Sequence, residues 1–127
     1  MVPTDISQIS HECNTWRDSL RNHKQEITDL KSELQEVAAQ LHSRSALAQV
    51  EHFQNQFHIQ LINIHDLKQD IKLHDRKLQL NNSDGKHDDQ TLADHEMLFD
   101  KYQVLEHTLQ ELSSDFKNFK QNIPISA

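Results

Sequence analysis

The chain of 127 residues carries 20 Asp and Glu against 13 Lys and Arg, a formal charge of −7 with its ten histidines neutral. It has one Gly, two Pro and one Cys. So little glycine and proline excludes folds built on many tight turns or on a glycine-lined phosphate cradle, and a lone cysteine excludes a disulfide framework and multi-cysteine metal clusters.

The charge is spread without a basic stripe. Five basic residues stand against seven acidic ones in 1–44, four against four in 45–83, and four against nine in 84–127. Phosphate backbones and anionic lipid both call for clustered Lys and Arg, so neither nucleic acid nor a membrane is an expected partner. No apolar run approaches the roughly 20 residues of a membrane span. The start, Met1-Val2-Pro3-Thr4-Asp5, lacks the basic and apolar regions of a signal peptide, and the expectation is a soluble, cytoplasmic protein.

Ile6, Ile9, Cys13, Trp16, Leu20, His23, Ile27, Leu30, Leu34, Val37 and Leu41 follow one another at alternating spacings of three and four. That rhythm keeps one helical face apolar and predicts a first helix over about 5–42, interrupted in character only by Cys13 and His23. Extending its seam would require apolar residues where the chain has Arg44, Ala48, Glu51, Asn55 and His58. A bend within 42–46, capped by Ser43 or Ser45, therefore fits better than one continuous helix from 5 to 80, which would have to dimerise.

A second helix over about 46–80 follows, with Val50, Phe57, Ile64, Ile71 and Leu78 seven apart, Leu47, Phe53, Leu61 and Leu67 flanking them, and His74 on the same face. The loop 81–88 opens with Asn81-Asn82-Ser83-Asp84-Gly85, residues suited to a turn, and Asp88-Asp89 suits the start of a third helix over about 89–122. Its seam is Leu92, His95, Leu98 or Phe99, Tyr102, Leu105, Leu109, Leu112, Phe116, Phe119 and Ile123, with Pro124 closing it before a tail at 124–127. The predicted fold is all-α: a single domain, 1–127, forming an antiparallel up-down-up three-helix bundle with coiled-coil (heptad) packing. Three long heptad helices with Trp16 early in the first resemble a spectrin repeat in architecture. Trp16 is the only matching landmark, and no family is assigned on it.

Ten histidines invite a metal reading, and spacing tests it. His11-Glu12 and His95-Glu96 begin the zinc-protease pattern, but Thr15 and Phe99 stand where its second histidine belongs. Setting Gly85 as the sixth residue of a calcium loop puts Leu80 first and Thr91 twelfth, where acids belong. Pairing positions across the two turns brings Cys13, His74 and His95 into one layer and His23 with His65 into another. The leading reading of both layers is polar breaks that fix helix register, with no metal site and no cofactor. The alternative is a His-based metal-binding bundle using one of them.

No catalytic motif is complete, so an enzyme is not expected. The second helix carries Ile59, Ile62, Leu73 and Leu80 roughly opposite its core seam, and the third has Met97 and Val104 in a similar place. The expected function is a non-enzymatic structural or protein-interaction bundle. Ile59, Ile62, Leu73 and Leu80 would be the partner-binding residues, either in a homodimer or toward a helical partner.

Overall fold

The computed structural model describes residues 6–81 and 89–122. Three helices make up the fold, α1 (Ile6–Ala38), α2 (Arg44–Asn81) and α3 (Asp89–Asn122), and no strand occurs among the described residues. At 1.5 Å per residue their 33, 38 and 34 residues make rods of about 50–57 Å.

Side-chain pairings give the direction of each rod. Glu12 meets His95, Ser19 meets Tyr102 and Glu33 meets Lys120, so α1 and α3 run the same way. His74 meets His95 near one end of α2, while Phe53 meets Phe116 and Phe119 near the other, so α2 runs against α3. Ser10 with Asp75, and Lys68 among the charges of Arg17, Arg21 and Lys24, set α2 against α1 as well.

The core is the expected seam. Val50, Phe57, Ile64, Ile71 and Leu78 are all buried, as are Ile9, Cys13, Trp16, Leu20, Ile27, Leu30 and Leu34 of α1. Burying one such large apolar side chain is worth about 1.5–3 kcal/mol, and that gain holds helices whose surface turns have little intrinsic preference to stay together. On α3 the core takes Leu98, while Phe99 is exposed and lays its ring over Trp16, with centroids 5.5 Å apart. His23 is half-buried and not a core residue: its ring faces Glu106 of α3 at 3.5 Å and Glu26 at 3.9 Å. Leu47 is exposed and Leu61 half-buried, so only Phe53 and Leu67 of the expected flanking residues complete the α2 core.

The first turn lies where the seam breaks, but α1 ends at Ala38 rather than near 42. Its last carbonyls are taken by a tightening turn, with Gln40 N–H donating to Val37 O and Leu41 N–H to Ala38 O. Leu41 then tucks into the core outside any helix. Ser43 supplies the cap, its Oγ accepting from the Ala46 N–H at 3.0 Å, so α2 begins two residues earlier than expected. Asn82, Ser83, Asp84, Gly85, Asp88, Ile123 and Pro124 lie outside the described residues, as do the side chains of Ile6, Asn81 and Asp89.

The two ends of the bundle differ in chemistry. Near the first turn, Phe53, Phe57, Phe116 and Phe119 pack with centroids 5.1–6.3 Å apart. Toward the other end a layer of Cys13, His74 and His95 interrupts the core, and Ile9 and Leu78 are buried beyond it. No helix among the described residues is long and apolar enough to cross a membrane.

Candidate functional site

The polar layer is built by one residue from each helix. Cys13 and His74 occupy seam positions of α1 and α2, and His95 sits nearly two turns into α3 on its own seam, so the apolar rhythm of each helix points all three inward. Their donor atoms lie within 4.8 Å of one another, and all three side chains are buried. His95 Nδ1 and His74 Nε2 are 3.3 Å apart, a distance that holds one shared proton. The other nitrogen of His95, Nε2, is 3.0 Å from Glu12 Oε2.

A carboxylate accepts only, so His95 carries its proton on Nε2 and turns the Nδ1 lone pair toward His74. His74 Nε2–H then donates into that lone pair. The rings stack: His74 on His95 at 5.3 Å, and His95 on Trp16 at 4.7 Å, each pair within about 24° of parallel. Burial, followed by the neighbouring His95, pushes the His74 imidazole below its ordinary value. Burial, reinforced by the charges of Asp75 and Glu12, pushes the Cys13 thiol up to about 12, so it is an inert thiol in this state. Among the described residues the Cys13 sulfur has no hydrogen-bond partner.

The second expected layer does not assemble. His65 is exposed, and His23 turns to α3 instead. The reason is angular: Ile64, one residue before His65, takes the seam position and is fully buried. His23 instead borders a chain in which the Tyr102 hydroxyl lies 2.8 Å from both Glu106 Oε2 and Ser19 Oγ. One phenolic proton serves the carboxylate, and Ser19 donates back to the phenol oxygen.

The outer face lies across α2 and α3. Ile59, Ile62, Leu73 and Leu80 are all exposed on α2, and Asp66 and Gln69 interrupt their line. Met97 and Val104 are exposed on α3. Leu73 and Met97 border a cleft of about 320 Å³ that reaches His74. It adjoins a groove of about 560 Å³ floored by Leu67 and Leu105 and edged by Val104. Asp66, Asp70, Asp94 and Asp100 line these two depressions with only Lys77 and Lys101 against them. Ile59, Ile62 and Leu80 stand outside both.

Sequence spacing finds the three-residue layer but misses Glu12 and the groove. Glu12 belongs to the polar side of the α1 pattern, and its only signal is adjacency to Cys13 on the same layer. The groove depends on how closely α3 approaches α2, which no single-helix pattern encodes. No protein family, curated protein or solved structure matches the chain.

Proposed function

We propose that the protein is a non-enzymatic, coiled-coil three-helix bundle that holds an amphipathic helix of another protein against its α2–α3 face. One observation carries the reading. Leu73 and Met97, 59% and 57% exposed, border a cleft floored by Leu98, and Val104, 67% exposed, borders the adjoining groove floored by Leu67 and Leu105. Together the two depressions have more Asp than Lys at their edges. Large apolar side chains gathered beside an unfilled groove are what a docked helix covers, through anchors spaced three, four and seven apart. The seven-residue spacing of buried Val50, Phe57, Ile64, Ile71 and Leu78 supports heptad packing within the bundle itself.

Charge selects the kind of partner. An excess of Asp over Lys along the groove favours a helix with a Lys- or Arg-rich border and disfavours a second copy of a chain whose net charge is −7. A reducing, cytoplasmic setting accords with the single free cysteine.

The test is a titration with two synthetic amphipathic helices that share a leucine face, one bordered by lysine and the other by glutamate. The lysine peptide binds, more weakly as salt rises, and Leu73→Glu with Val104→Glu abolishes binding. Equal binding of the two peptides, or unchanged binding by the double variant, sinks the reading. Sedimentation gives a monomer. A dimer that Ile62→Glu with Leu73→Glu dissociates would reassign the face to self-association.

A further inference from the structure

The buried polar layer holds the donor set of a transition metal. We propose that Cys13, His74 and His95 bind one zinc(II) ion, with Glu12 as the carboxylate that orients His95.

Four features of the layer support this. The first is distance. Zn–N bonds of about 2.0–2.1 Å in a tetrahedron place two ligating nitrogens about 3.3–3.4 Å apart. His95 Nδ1 and His74 Nε2 already stand at 3.3 Å. A Zn–S bond of about 2.3 Å puts sulfur about 3.5–3.6 Å from each nitrogen. The widest separation within the set is at most 4.8 Å, so side-chain rotation closes the remainder.

The second feature is orientation. A histidine that ligates through one nitrogen commonly gives its other N–H to a carboxylate, which fixes the tautomer and raises the basicity of the donor. His95 has that arrangement, with Nε2 at 3.0 Å from Glu12 Oε2 and Nδ1 toward the centre.

Charge is the third. Zinc(II) with one thiolate and two neutral imidazoles carries a net +1, which the Glu12 carboxylate cancels. Monovalent copper in the same place would leave a net negative charge in the core, where an uncompensated charge is costly. The exchange balances simply. The Zn–S bond forms as the Cys13 S–H bond breaks and the proton leaves to solvent, while the His74 ring proton moves from Nε2 to Nδ1 so that both imidazoles stay neutral.

Access is the fourth. The α2–α3 cleft reaches His74 from the surface, and Asp70 and Asp94 on its walls attract a cation toward it. Three protein donors leave a fourth position for water.

The decisive probe is cobalt(II), added to the untagged, metal-free protein. Cys13 is the only cysteine, so a thiolate-to-cobalt charge-transfer band in the near ultraviolet has one source, whatever the surface histidines bind. The band saturates at one equivalent, and one equivalent of zinc bleaches it. Cys13→Ala removes the band and His95→Gln weakens zinc binding at least about 100-fold. Glu12→Gln weakens it about 10-fold or more. Substitution of the exposed His52 leaves the affinity unchanged. Zinc raises the melting temperature of the wild type and leaves that of Cys13→Ala where it was. The wild-type spectrum is read without any variant, so a variant that fails to fold does not blunt the test. Absence of the band in the wild type overturns the proposal, and so does zinc binding that survives Cys13→Ala intact.

Discussion

His74 shows how one side chain couples burial to solution conditions. Desolvation, with the neighbouring His95 and then Lys77 acting in the same sense, holds its pKa below the ordinary 6.5, against the pull of Asp94 and Asp75. Glu12 on α1 faces the same layer through His95. The folded protein therefore prefers neutral His74, whereas the unfolded chain takes up a proton first as pH falls. Stability is fully present above about 6.5 and is lost as pH drops below it. Thermal melts of the metal-free protein at about pH 7.5 and about pH 5.5 check this: the lower pH gives the lower melting temperature, and His74→Gln narrows the gap. The burial of Cys13 and His95 follows from their seam positions. The Glu12 contact does not, because carboxylates flanking a seam are ordinarily solvated and only the three-helix geometry brings this one to His95.

At the scale of the element, the first turn carries the most information per residue. It has no glycine and relies on a capping hydroxyl, with Ser43 Oγ closing on the Ala46 N–H. Ser43→Ala lowers unfolding free energy by about 1 kcal/mol in a denaturant titration, and Ser43→Gly by a few tenths. The existence and order of the helices are legible in the heptads. The end of α1 at Ala38 is not, because Leu41 is apolar and in phase with the seam yet reaches the core from a tight turn. Phe99 misleads in the same way, since α3 buries Leu98 and leaves Phe99 to lie on Trp16. Apolar residues are also gathered more firmly on one face in α1 than in α2 or α3. The surplus on those two helices is the material of the outer groove.

The molecule differs along its axis, with four phenylalanines packed near the first turn and a layer toward the opposite end in which hydrogen-bonded His74 and His95 lie beside Cys13. An apolar end gains stability from area and shape alone, each aromatic pair adding about 0.5–1.5 kcal/mol beyond burial. A polar layer gains specificity, because a slip of one helical turn would strand its donors without partners. Net charge is the other global property. Protons on all ten histidines would turn −7 into +3, so the net charge passes through zero in mildly acidic solution. Turbidity against pH, measured at fixed protein concentration, peaks near 5.7, where self-repulsion vanishes.

The stack of Trp16 on His95 has an optical consequence. Trp16 is the only indole in the chain, buried 4.7 Å from the imidazole of His95. Indole fluorescence, excited at wavelengths that Tyr102 does not absorb, therefore arises beside the polar layer and from no other residue. Any event that changes the charge or position of His95 is written into the emission of one residue, which makes the protein its own label.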